Sequence, residues 1–228
     1  MALIHDSIPD REICKKATQL VTEISPTSLC NHCIRTFLFG DLLGIRDGLK
    51  CDSEALLRLR SISESSSVSA DRELFYLGAI MHDLGLTERF DAQQRFEVNG
   101  ADAARAFVLE HGLSDEKAEV VWDAIALHTS IGIAVRKQPE IALVHLGATV
   151  DLLGMRISDI TPETVEQIVD AYPRLSFNQQ ITQLMVSQVK RKPQTAIFTW
   201  QAEVGRCCIH GFVSPNWNDM LNSSPFAE

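Results

Sequence analysis

The sequence has no long apolar run. No segment approaches the roughly 18 consecutive apolar residues that read as a membrane-spanning helix. Aromatic residues are only 7%, and 12 glycines with 8 prolines among 228 residues exclude fibrous and proline-rich classes. Positive charge is in deficit: 21 Lys and Arg against 30 Asp and Glu leave a net charge of −9, which argues against a general nucleic-acid or anionic-membrane binder. The opening residues Met1–Asp6 lack a basic region and an apolar core, so no secretory signal is expected. The six cysteines, Cys14, Cys30, Cys33, Cys51, Cys207 and Cys208, form no regular framework and read as reduced thiols of a cytoplasmic protein.

Several catalytic signatures are missing too. There is no Gly-rich phosphate loop, no Gly-x-Ser-x-Gly elbow and no His-Glu-x-x-His helix. The lone Cys-x-x-Cys at Cys30–Cys33 sits in a helical run with no second pair to answer it, so two half-buried helix cysteines are expected there. Cys207-Cys208-Ile209-His210 is equally weak as a metal site.

What is present is helical periodicity. With 45% hydrophobic and 22% charged residues, the chain reads as one all-α domain over 1–228. Ile13, Ala17, Leu20, Val21 and Ile24 repeat at helical spacing, and a second run extends from Ser28 to Ile45 before Asp47-Gly48. A short helix is expected over Glu54–Leu59, and a loop over Ser61–Ala70, which is rich in serine. Further helices are expected from Asp71 to Leu84 closed by Gly85, from Glu97 to His111, from an N-cap at Ser114 to Thr129, and from Glu140 to Leu153. Thr161-Pro162 marks the start of another. Two more follow over 177–190 and 195–203, and the tail from Gly205 reads as irregular.

Four of these helical segments each present an ionisable group from an apolar face. They carry His32, the pair His82-Asp83, His128 and Asp151. One such group is usually a satisfied core residue, because a buried charge is costly unless paired or bound to metal. Four in one small domain suggest convergence on an ion, and imidazoles with carboxylates suit a borderline divalent metal. His5, His111, His145 and His210 carry no such signal. His145 lies about 120° of helix rotation from Asp151 and is read as packing behind the site.

The order His…His-Asp…Asp resembles the HD-domain superfamily of metal-dependent hydrolases. The resemblance covers about residues 25–155, and it implies a helical bundle in which His32, His82, Asp83 and Asp151 bind one metal. The C-terminal helices over 161–205 are then expected to pack on that core. Asn31–Phe37, His82–Thr87, Phe96–Arg105 and Ala126–Thr129 are similar to the cyanamide hydratase branch, whose members hydrate cyanamide to urea with zinc. Two-metal members place extra histidines between the His-Asp pair and the last Asp; Asn99 stands where one commonly lies, so a single ion is expected.

The resemblance implies a hydro-lyase with Zn²⁺ first in line and Fe²⁺, Mn²⁺ or Ni²⁺ as alternatives. Asp83 or His128 transfers the proton, while Thr36, Arg35 and Thr129 are candidates to meet the substrate. The expected partner is a small molecule, with no nucleic acid and no membrane; self-association into a homo-oligomer stays open. Two rivals remain. A phosphohydrolase acting on a nucleotide or phosphodiester would use Arg35 against the phosphate charge. A non-catalytic HD-fold protein would only bind.

Overall fold

The computed structural model describes residues 8–48, 50–51 and 69–226. The expected helix over Glu54–Leu59, most of the serine-rich segment and His5 lie outside the described residues. Among the described residues the fold is all-α. It comprises ten α-helices linked by turns and short 3₁₀ segments, with one two-residue parallel bridge pairing Lys50–Cys51 and Ser69–Ala70.

The core forms where α1 (Glu12–Ile24), α2 (Thr27–Arg46), α3 (Arg72–Met81), α4 (Phe96–Glu110), α5 (Asp115–Ala126) and α6 (Pro139–Leu153) bury their apolar faces together. Phe37, Phe75, Tyr76, Leu77, Ile80 and Val144 are completely buried at its centre. Each large apolar side chain removed from water stabilises the fold by about 1.5–3 kcal/mol.

Local chemistry fixes the starts of these helices. The Asp71 carboxylate accepts from the backbone N–H groups of Glu73 and Leu74, and the Ser114 hydroxyl accepts from that of Lys117. These are N-caps, each satisfying donors that the first helical turn leaves unpaired. Thr161 does the same for α7 (Pro162–Ala171), accepting from Thr164 N–H with Pro162 just behind it.

Two glycines set the crossing of α2 and α6. A Cβ at Gly147 would lie 1.8 Å from the Thr36 carbonyl oxygen, and one at Gly40 would lie 2.5 Å from the Leu143 carbonyl oxygen. The two backbones therefore touch, and any side chain at Gly147 would force them apart. This contact brings His32 of α2 against Asp151 of α6.

The ends of several elements differ from the sequence reading. Helix α3 stops at Met81, so His82 and Asp83 occupy the turn beyond it, followed by a 3₁₀ turn at Leu84–Leu86. Gly85 is not a left-handed helix cap. A Cβ there would meet the Phe96 carbonyl oxygen at 2.0 Å, so close packing against α4 demands the glycine. Helix α5 likewise ends at Ala126 and leaves His128 in the following turn.

The C-terminal part adds α8 (Phe177–Arg191), α9 (Gln201–Cys208) and α10 (Trp217–Asn222). A 3₁₀ turn at Pro193–Ala196 displaces α9 from the expected 195–203. The tail is not wholly irregular, because Asn216 and Asp219 form a reciprocal capping box that starts α10. A second, smaller apolar cluster joins Phe177, Ile181 and Met185 of α8 to Leu29, Leu86 and Phe96.

Candidate metal centre

Three backbone segments converge at one buried point. Helix α2 supplies His32, the turn after α3 supplies His82 and Asp83, and the turn after α5 supplies His128. Their exposures are 3%, 1%, 5% and 5%.

Each histidine has its Nδ1 committed. His82 Nδ1 donates to the Ala79 carbonyl oxygen at 2.7 Å, and His128 Nδ1 donates to that of Ile125 at 2.6 Å. His32 Nδ1 donates to Asp151 Oδ2 at 2.6 Å. These bonds place the proton of each neutral ring on Nδ1 and leave a lone pair on Nε2. Burial pushes the His82 imidazole down to about 3, so it is neutral near pH 7.

The lone pairs meet. His32 Nε2 and His82 Nε2 are 3.2 Å apart, and Asp83 Oδ2 lies 3.3 Å from the second and 3.7 Å from the first. Ligand atoms from all three residues fall within 4.8 Å of one another. Two imidazole lone pairs and a carboxylate facing one another in a dry site repel unless a cation lies among them. The donor set of two nitrogens and an oxygen fits a borderline divalent ion. His128 Nε2 approaches the other Asp83 oxygen, Oδ1, at 3.9 Å.

The structure separates Asp151 from this group. Its Oδ2 takes the His32 Nδ1 proton, on the side of the ring away from Nε2. Arg35 grips the same carboxylate with two bonds, Nε to Oδ1 at 2.7 Å and Nη2 to Oδ2 at 2.8 Å. Arg174 adds a third at 2.9 Å. Burial raises the Asp151 carboxyl, but the hydrogen bonds from Arg35 and His32 outweigh it and hold it well below the usual carboxylate range. In this arrangement Asp151 orients His32 rather than joining the three gathered donors.

Arg35 is correspondingly lost to the substrate role read from the sequence. It is 0% exposed, and its remaining Nη1 donates to the Tyr172 carbonyl oxygen at 2.9 Å. Thr36 is also fully buried, one residue along a helix packed on all sides, and does not reach the cavity. Thr129 does line the cavity, and its hydroxyl donates to Glu97 Oε1 at 2.9 Å. His145 stands behind His128, donating from Nδ1 to the His128 carbonyl oxygen at 2.7 Å; burial lowers its pKa. Asn99 donates to the Gln94 carbonyl oxygen at 3.0 Å and takes no part in the donor group.

A cavity of about 350 Å³ opens over His32, His82, Asp83 and His128. Its further wall comes from residues with no signal in the sequence: Ile181 and Met185 of α8, and Trp200, Glu203 and Val204 at α9. Phe177, at the start of α8, stacks on the His32 ring with centroids 4.4 Å apart. Glu97 is 1% exposed and accepts from Arg95 at 2.7 Å and Gln201 at 3.3 Å, which ties α4 to the start of α9. Helical spacing marks such residues as apolar or polar, not as facing a cavity, so nothing short of the packing reveals them.

The model of the HD domain matches residues 29–164, more than half of the chain. No curated protein matches it.

Proposed function

The chain belongs to the HD-domain family, in general metal-dependent hydrolases, and from this we propose that it adds water across the carbon–nitrogen triple bond of a small uncharged nitrile. Cyanamide, hydrated to urea, is the leading candidate. The reading rests on one observation above others. The cavity over the donor group is walled mostly by apolar side chains, with the imidazoles, Thr129, Thr149 and the carboxylates of Asp83 and Glu203 as its polar groups, and no Lys or Arg lines it among the described residues. A phosphate substrate wants cations to balance its charge. Arg35, the cation on which the phosphohydrolase reading depended, is spent on Asp151.

In this reading His32 Nε2, His82 Nε2 and Asp83 hold one divalent ion, Zn²⁺ first among the candidates. Such an ion makes water acidic enough to act as a nucleophile near neutral pH. Asp151 holds the His32 ring so that Nε2 faces the donor group, as carboxylates commonly do for metal-ligating histidines. As the new carbon–oxygen bond forms, one π bond of the nitrile breaks and its nitrogen takes up a proton. In this reading the His128 Nε2 lone pair takes the proton that the water gives up and passes it to that nitrogen, while the Nδ1 bond to Ile125 fixes the ring.

A panel assay with zinc-loaded protein tests the reading. Urea from cyanamide without phosphate from nucleoside monophosphates or cyclic dinucleotides is the expected result. Phosphate release without urea overturns it. Bound metal with no turnover of either class points to another small electrophile as substrate, whereas protein that binds no metal points to the non-catalytic alternative.

A further inference from the structure

Cyanamide has three heavy atoms and needs little room. Water in the liquid takes about 30 Å³ per molecule, so cyanamide occupies roughly 60–90 Å³. The cavity holds about 350 Å³, inside the range of roughly 300–1,000 Å³ seen for pockets that enclose much larger ligands. Most of that space borders hydrocarbon. Ile181, Met185 and Val204 form one side of it, and Leu152, Leu153 and Ile131 another.

The second group also reaches solvent. Ile131 is 70% exposed, Leu153 63% and Leu152 39%. Scattered exposed apolar residues are ordinary on a soluble protein. Here, however, three line the same cavity, so they form an apolar mouth. The charged residues among those lining the cavity are both acidic. Asp83 lies within and Glu203 at the wall, the latter paired with Arg206. Away from the donor group the wall offers, among the described residues, no lysine or arginine to an anionic body, whereas an uncharged apolar one displaces water from a surface suited to it.

We infer that the preferred substrate is an uncharged nitrile carrying an apolar body, which fills the space between α6, α8 and α9 while its triple bond lies at the His32–His82–Asp83 group. This inference rests on the hydration reading above. The reaction is R–C≡N plus water giving R–CO–NH₂, with no other reactant. Cyanamide then turns over as a small member of the class that leaves most of the cavity unfilled.

The product amides permit a test without turnover. Calorimetric titration of the metal-free protein with acetamide, butanamide and hexanamide should show binding that tightens with length, at up to about fourfold per buried methylene. With zinc-loaded protein, kcat/KM for acetonitrile, butanenitrile and hexanenitrile should rise in the same order, at least about thirtyfold across the series. Leu153→Asp and Ile131→Asp, both at exposed positions where folding is insensitive, should each lower the hexanenitrile-to-acetonitrile ratio about tenfold, with circular dichroism unchanged. A flat or falling series in both experiments, with cyanamide fastest, overturns the inference and leaves hydration standing. Length-dependent amide binding with no hydration of any nitrile upholds the apolar preference and overturns the reaction.

Discussion

His32 Nε2 and His82 Nε2 face each other at 3.2 Å, and the Nδ1 of each ring is already hydrogen-bonded elsewhere. No proton of a neutral ring is left to bridge them. Purified protein should therefore carry about one divalent ion per chain, and Asp83→Ala should lose it while remaining helical. Elemental analysis and far-ultraviolet circular dichroism check this. Two ions per chain in the active protein would break the single-ion assignment, and full metal retention by Asp83→Ala would remove Asp83 from the donor set.

Asp151 separates two roles by a graded outcome. If it only orients His32, Asp151→Asn should weaken metal affinity by about 10–100-fold without emptying the site. Complete loss of metal in a folded variant would make it a direct ligand. Competition with a chromogenic chelator supplies the affinity.

The same carboxylate and Arg35 form a buried ion pair, with side chains 1% and 0% exposed. Removing Asp151 strands the buried guanidinium, and removing Arg35 takes two hydrogen bonds from a buried carboxylate that keeps only His32 and Arg174. Arg35→Met and Asp151→Asn should each destabilise the fold by about 3–5 kcal/mol, and the double variant should cost clearly less than the sum. Urea denaturation of the four proteins measures the cycle. Strict additivity would mean that the pair is not coupled.

Gly147→Ala should be among the most disruptive single-methyl changes in the chain, because its Cβ would fall 1.8 Å from the Thr36 carbonyl oxygen. That carbonyl and the Gly40 nitrogen, 2.9 Å from the same Cβ position, are backbone atoms and neither can swing aside. A loss of at least about 2 kcal/mol is expected. Gly112→Ala makes a useful contrast: nothing lies within 4 Å of a Cβ there, and its cost should reflect only its φ of +88°.

His145 gives the fold a pH dependence of definite sign. Its pKa is lowered in the native state, chiefly by burial. Below about 6.5 the unfolded chain binds this proton before the native one does. Stability should accordingly fall as the pH drops below about 6.5, with a contribution of at most about 1.4 kcal/mol per pH unit from this group. His145→Asn, which keeps a donor for the His128 carbonyl oxygen, should flatten the acid side of the stability profile. An unchanged slope would show that His145 titrates alike in both states.

Much of the helical layout is legible in the sequence, because it is written in local chemistry. Ser114 and Thr161 announce their helices through capping, and apolar spacing traces α1 to α6. The gathering of His32, His82 and Asp83 is visible as polar residues breaking apolar stretches. The destination of each group is another matter. Nothing near Arg35 in sequence says that its guanidinium turns to Asp151, more than a hundred residues on, rather than into the cavity. Gly85 has the look of a helix terminator, yet its role is contact with the Phe96 carbonyl oxygen. Trp200, Glu203 and Val204 become cavity wall only because α8 and α9 fold back over α4. Such assignments depend on long-range packing, which periodicity does not encode.

The family match ends at residue 164, yet Ile181, Met185, Trp200, Glu203 and Val204 lie beyond it. The donor atoms and the opposite wall of the cavity thus come from different stretches of the chain. Substitutions in the later stretch can reshape what fits without shifting a donor, provided Phe177 keeps its place on the His32 ring. Divergence in what is accepted can therefore proceed in α8 and α9 while the reactive end stays fixed, and sequences sharing residues 29–164 need not share a substrate.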